Sequence, residues 1–209
     1  MKSIFNRQYK RYDNWYDRNK FAYFSELEAI KKVLPKRGKG LEVGVGTGRF
    51  ASALGIGYGI DPSAKMLEIA RKRGIDVRVG SGETLPFEDS VFDYVAIIIT
   101  ICFVENPIKV LTEAKRVLKK RGRIILGIVD RDSLLGRFYQ KKRSAFYKKA
   151  KFFGIEELTD LLKKAGFNKF LYYQTIFNFP EKMSSTENPE KGFGKGGFVV
   201  VGACNSLKK

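Results

Sequence analysis

A chain of 209 residues, 44% hydrophobic and 30% charged, has room for one well-buried core and is short for two, since domains run to about 150 residues. It contains no histidine, which excludes His-based triads and HExxH zinc sites, and no apolar run approaches the roughly 18 residues of a membrane span. The formal net charge of +18 admits two readings: a surface that holds nucleic acid through counterion release, or the lysine-rich, cysteine- and methionine-poor make-up of proteins from heat-loving organisms. Net charge speaks to solubility and non-specific binding rather than to fold, which favours the second.

The first residues, Met1 to Phe5, run into polar and charged positions instead of an apolar stretch with a cleavage site, so no export signal is expected and the protein reads as cytoplasmic. Two cysteines far apart do not make a disulfide framework. Residues 7 to 34 mix charge with aromatics, then carry Leu27, Ile30, Val33 and Leu34 in a helical stripe that Pro35 and Gly38 end. Tyr12, Trp15 and Tyr16 share one helical face, as part of an edge helix or as an aromatic lid over a pocket.

Leu41-Glu42-Val43 then reads as a strand running into Gly44-Val45-Gly46-Thr47-Gly48, where main chain can approach a ligand closely. After a short helix, Gly57 to Ile60 predicts a second strand ending in Asp61, with Pro62 in the first turn of a helix carrying Met66, Leu67 and Ala70. Such a strand-loop-helix-strand-acid unit is a nucleoside site, its acid accepting from ribose hydroxyls. A third strand is expected at Asp76 to Val79, a loop at Gly80 to Phe87, and a fourth strand opened by Phe92-Asp93 over Tyr94 to Ile99. Pro107 to Leu118 predicts a helix with Gly122 marking its end, followed by a strand from Arg123 to Val129.

From Arg131 to Phe153 basic residues (Arg137, Lys141, Lys142, Arg143, Lys148, Lys149, Lys151) interleave with aromatics (Phe138, Tyr139, Phe146, Tyr147, Phe152, Phe153). That is either a base-stacking surface or a helix with wet lysines and inward rings. Glu156 to Ala165 predicts an amphipathic helix closed by Gly166, and strands follow at Phe170 to Phe177 and Phe198 to Ala203. The long segment between those strands is expected to be mobile or functional.

Alternating strands and helices predict an α/β fold, a Rossmann-like doubly wound sheet of about seven strands, mostly parallel with an antiparallel last strand and helices on both faces. One domain, 1–209, is expected: a helical lid region at 1–38, a cofactor-binding core at 39–130, and acceptor-side helices with a C-terminal β-hairpin at 131–209. Ligands bind beyond the carboxyl ends of such strands, which gathers Glu42, the glycine loop, Asp61, Ser81 to Glu83, Ile98 and Asp130 around one crevice.

From about Tyr12 to Phe167 the chain resembles the class I S-adenosylmethionine-dependent methyltransferases of the single-domain, small-molecule type. The resemblance rests on Leu41 to Gly48, on Gly59-Ile60-Asp61-Pro62-Ser63, on Glu83 to Asp89 with Phe92-Asp93, and on Glu113 to Lys119 with Gly122, in family order and spacing. A dinucleotide fingerprint would need its third glycine at 49, where Arg49 stands. The resemblance implies S-adenosylmethionine as cofactor and S-adenosylhomocysteine as product. Gly44, Gly46 and Gly48 would lie against the methionyl half, Glu42 would meet its amino group, and Asp61 would take the ribose hydroxyls. Pro62, Met66, Ser81, Gly82, Glu83 and Ile98 would surround the adenosine, although this chain has Ser81-Gly82-Glu83 where many relatives carry Asp-Ala-Glu. No metal is implied.

In-line methyl transfer needs alignment more than a nucleophilic side chain. An amine acceptor needs only somewhere to lose its proton, whereas a hydroxyl or carbon acceptor needs a base, for which Asp130, Asp132, Glu105 or a tyrosine are candidates. Tyr12, Trp15, Tyr16 and Phe103 are the expected acceptor-pocket residues, and aromatics beside acids suit an amine. The expected partner is a small-molecule methyl acceptor, with RNA held by residues 137–151, or cofactor binding without transfer, as alternatives. Cys102 follows Ile101 rather than a proline, so it reads as a small buried thiol and not as a nucleophile.

Overall fold

The computed structural model describes residues 2–142, 144 and 146–205. Two helices come first, α1 (Lys2–Arg18), which carries Tyr12, Trp15 and Tyr16, and α2 (Lys20–Lys31), which carries Leu27 and Ile30 of the expected stripe. Asn19 divides them with a non-helical backbone, and its side chain donates to the Trp15 carbonyl at 2.9 Å. Then follow β1 (Gly40–Val43), α3 (Arg49–Leu54), β2 (Tyr58–Asp61), α4 (Ala64–Lys72), β3 (Asp76–Val79), β4 (Phe92–Ile98), α5 (Pro107–Val117), β5 (Leu118–Val129), α6 (Leu134–Lys141), α7 (Ile155–Lys164), β6 (Phe167–Thr175), β7 (Glu190–Lys191) and β8 (Phe198–Asn205).

All eight strands form one sheet in the order β3-β2-β1-β4-β5-β8-β6-β7. The first five run parallel, and β8 enters antiparallel between β5 and β6, pairing Ile124 with Ala203 and Tyr172 with Val201. Covered strands of such a sheet are buried on both faces, which is why β1 and β4 are near-continuous apolar runs in the sequence. One core layer packs Tyr16, Tyr23, Ile30, Phe50, Leu67 and Phe198 under α1 to α4. The other packs Leu41, Phe92, Leu111, Leu158, Leu162 and Val201 under α5 and α7.

Three local expectations need correction. Pro62 lies before α4 instead of in its first turn, because the Ser63 side chain takes the N-cap and accepts from the Met66 N–H at 3.4 Å. Gly122 does not end α5: the chain turns extended at Leu118, β5 begins there, and a register shift opposite Phe92 and Tyr94 absorbs the extra residues. The 176–197 connection is held down, not loose. Glu187 accepts from the Phe177 and Asn178 N–H groups and donates its own N–H to Ser25 on α2.

No described helix is long and apolar enough to cross a membrane.

Candidate functional site

The carboxyl ends of β1, β2 and β4, with the loop after β3, enclose a cavity of about 600 Å³. Gly46 forms part of its wall with φ +53°, and a Cβ there would stand 3.7 Å from both Met66 Cε and Tyr12 Cε1, filling the space a ligand would use. Gly48 serves differently. It turns at φ +81° into α3, and a Cβ on it would run into Ile75 and Ala70, so it lets the loop pack on α4 rather than lining the cavity.

Asp61 ends β2 with both oxygens engaged: Oδ1 accepts from the Ser63 N–H at 2.8 Å and Oδ2 from the Gly46 N–H at 3.1 Å. It fixes the glycine loop to the α4 cap while lining the cavity, where its remaining lone pairs can accept hydroxyl donors. Burial pushes it up to about 6 against the pull of those two bonds. Glu42, on the preceding strand, is 1% exposed. Burial holds its carboxyl well above the usual range, Asp61 adds to the rise, the Ala51 N–H opposes it, and Oε2 has no partner.

The loop after β3 presents Gly80, Ser81, Gly82, Glu83 and Thr84 to the cavity. Glu83 accepts from the Ser81 hydroxyl and from the N–H groups of Glu105 and Asn106, at 3.1 and 3.4 Å, so its carboxylate splices this loop to the segment after β4. Ile99, at the end of β4, has φ +49°, an uncommon conformation for a β-branched residue, and it lines the floor beside Thr100.

Phe5, Tyr12 and Phe103 form the roof, and Phe146 packs behind it. Phe5 meets Tyr12 edge-on at 6.0 Å, Phe103 edge-on at 5.2 Å and Phe146 at 5.4 Å, and Phe146 also reaches Tyr12. Of the four expected acceptor-pocket residues, the structure brings Tyr12 and Phe103 to the cavity and leaves Trp15 and Tyr16 off it. Tyr16 sits one turn further along α1, 3% exposed, packed on Tyr23 and Phe50, with its hydroxyl bonded to that of Tyr12 at 2.9 Å. Trp15 packs edge-on against Tyr16. Ile98 is likewise buried behind the wall, and Glu42 behind the loop.

Sequence reasoning missed Phe5, Ile99, Thr100 and Lys109 on the cavity wall, and it missed Asp13. Arg49, first residue of α3, makes paired contacts to Asp13 at 2.9 Å and to Asp17 at 2.7 Å, while Arg73 reaches Asp13 at 3.0 Å and the Thr47 carbonyl at 2.6 Å. Burial opposes ionisation of Asp13, but Arg73, Arg49 and Thr47 outweigh it and hold the carboxyl well below the usual range. This network docks α1 on the glycine loop. Spacing gives no sign of it, although a basic residue directly after the last glycine is a cue.

Of the remaining base candidates, Glu105 lines the cavity, whereas Asp130 and Asp132 have structural partners. Asp130 accepts from the Asp132 N–H and its carbonyl takes the Ser133 hydroxyl, while Asp132 pairs with Arg131. Burial pushes the Cys102 thiol up to about 12, which leaves it protonated. In the basic segment Tyr139 is buried with Tyr147 stacked on it at 4.5 Å, Phe146 turns to Phe5, and Lys141, Lys142, Lys148 and Lys149 face solvent. Of the segment's rings only Phe138 is exposed among the described residues, too little for a continuous base-stacking surface; Arg143 lies outside the described residues. Groups of His, Cys, Asp or Glu able to hold a metal ion are absent among the described residues.

Residues 41–126 match the family described as the methyltransferase domain. A solved structure from Thermotoga maritima, described as a SAM-dependent methyltransferase and possible histamine N-methyltransferase, superposes with a TM-score of 0.96 at 50% identity, covering 99% of this chain and 100% of that one. An uncharacterized protein of Methanocaldococcus jannaschii is 48% identical over 96% of this chain and 98% of its own length. The demethylmenaquinone methyltransferase of Thermotoga maritima is 38% identical over 48% of this chain and 46% of its own.

Proposed function

Because the chain belongs to the S-adenosylmethionine-dependent methyltransferases, we propose that it methylates a small molecule and that the acceptor atom is an amine nitrogen. When bound, S-adenosylmethionine supplies a methyl group already activated by its sulfonium centre. The residues present fit that cofactor, through the Cβ-free wall at Gly46 and the unpartnered Glu42 oxygen behind it. Gly44 and Gly46 give the methionyl portion backbone room, Glu42 supports its amino group through water from behind the loop, and Asp61 accepts from the ribose hydroxyls. Pro62 and Met66 flank the adenine, and Ser81 and Gly82 offer it a hydroxyl and an N–H. Glu83 holds that loop in place, while Gly48 and Ile98 support the wall from behind.

The observation that carries the small-molecule reading is the roof. Phe5, Tyr12 and Phe103, with Phe146 packed behind them, wall one side of a cavity of about 600 Å³, within the 300–1,000 Å³ common for small ligands, where a polymer would need an open groove. Two features favour nitrogen. The Tyr12 hydroxyl is turned to that of Tyr16, is held well above its ordinary range chiefly by burial, and does not act as a base near neutral pH. An amine acceptor makes the least demand on such a site, and the Thermotoga maritima relative's description as a possible histamine N-methyltransferase agrees.

The test is to incubate the protein with S-adenosylmethionine and a panel of small amines, histamine included, beside alcohols, thiols and carbon acids, following S-adenosylhomocysteine release and product mass. Nitrogen-methylated product is expected. Turnover of only oxygen, sulfur or carbon acceptors would refute the amine assignment.

A further inference from the structure

Glu26, on α2, is 4% exposed, and its carboxyl has no hydrogen bond or ion pair with any described residue; Oε2 is completely enclosed without a partner. An unpaired buried carboxyl is costly, and nothing in the packing of α2 requires one. Around it stand Tyr12 and Tyr16 of α1, Tyr139 of α6 and Tyr147, whose hydroxyls all lie within electrostatic reach of Glu26. The Tyr139 hydroxyl is also buried without a hydrogen-bond partner. Two orphaned polar groups thus lie within electrostatic reach of one another. Tyr12 stands between this cluster and the cavity, lining the cavity on one side and bonding Tyr16 on the other.

No cation answers Glu26. Arg49, over the Tyr16 ring, is committed to Asp13 and Asp17, and Lys142, over the Tyr139 ring, pairs with Glu181 at 3.6 Å. A buried, unpaired carboxylate with tyrosines close by, in a protein otherwise rich in positive charge, suits a desolvated cation.

Resting on the amine-methyltransferase reading above, we propose that Glu26 is the acceptor-recognition residue. It receives an ammonium group that the acceptor carries in addition to the atom that is methylated, with the Tyr139 hydroxyl as a second polar contact. The acceptor class is therefore a compact molecule with a charged amine at the end remote from the reacting atom. Burial pushes the empty carboxyl up to about 8, so receiving a cation near pH 7 ionises it and releases a proton.

The test is titration calorimetry on wild type and Glu26→Gln, each saturated with S-adenosylhomocysteine, in two buffers of different ionisation enthalpy at pH 7. The probes are 2-phenylethylamine and 1,4-diaminobutane, against 2-phenylethanol and 1,4-butanediol. At least one amine is expected to bind wild type tighter than its alcohol counterpart, with proton release, and at least tenfold tighter than it binds Glu26→Gln, while S-adenosylhomocysteine affinity is unchanged. Tyr139→Phe should weaken the same amine two- to fivefold. Equal amine affinity in wild type and Glu26→Gln, or no amine bound more tightly than its alcohol, would overturn the assignment and leave the methyltransferase reading standing. Failure of wild type to bind S-adenosylhomocysteine would overturn both. Proton release is read on wild type alone, so the proposal stays refutable even where Glu26→Gln does not fold.

Discussion

Replacing Glu26 by glutamine removes an ionisable group while keeping the shape of the side chain. Burial raises this carboxyl from its ordinary 4.5 to about 8. The unfolded chain therefore gives up the proton above pH ~4.3, while the folded protein keeps it until near pH 8. Between those values the unfolded state binds fewer protons, so wild-type stability falls as pH rises, at about 1.4 kcal/mol per unit. From pH 5 to pH 8 the wild type should lose about 3 to 4 kcal/mol relative to Glu26→Gln, after which the two curves run level. The surrounding tyrosines, Tyr12, Tyr16, Tyr23, Tyr139 and Tyr147, have hydroxyls raised by burial and do not titrate in this window. Asp61, Glu42, Glu181 and Lys142 are common to both proteins and cancel in the difference. Urea denaturation of both proteins across that range measures the effect. Parallel stability curves, or a wild type gaining stability with pH, would show that Glu26 is not a buried, unpaired carboxyl.

Other substitutions separate the cofactor wall from its supports. Asp61→Ala should weaken S-adenosylhomocysteine by about 1.5 to 3 kcal/mol, the range for hydrogen bonds to a charged group, and unchanged affinity by calorimetry would remove Asp61 from the site. Trp15→Ala should lower stability by about 2 kcal/mol, less than the 3–5 of a fully buried ring, and leave turnover per folded molecule intact; a turnover loss without a stability loss would return Trp15 to the acceptor pocket. With Phe138 its one exposed described ring, the 137–151 segment should show no micromolar RNA binding at low salt, and affinity that falls steeply as salt rises would contradict that.

Much of the sheet was legible because its strands are short apolar runs bounded by glycines, prolines and acids, a pattern that covered parallel strands impose. Asp61 and Gly46 were legible for a similar reason, since a strand end followed by a loop fixes where each backbone group points. Trp15 and Tyr16 were not separable from Tyr12 by spacing: residues three and four apart share a face, and a helix lying obliquely over a cavity shows the cavity one turn of that face and the core the next. Glu26 was invisible because nothing in a sequence distinguishes a carboxylate on the wet side of a helix from one sealed beneath it. The Asp13 network escaped notice because it joins segments 34 to 60 residues apart, a distance over which no local pattern carries information.

That network has a thermodynamic corollary. Asp13 bonds the Thr47 hydroxyl at 2.6 Å and Arg73 bonds the Thr47 carbonyl, so the first helix and the glycine loop share one set of charges. Linkage is reciprocal: whatever affinity the cofactor gains from a docked α1, the docking of α1 gains from the cofactor. Since α1 also carries Tyr12 and Phe5, the occupied loop completes the chamber that the acceptor enters. Limited proteolysis within α1 should therefore slow when S-adenosylhomocysteine is present.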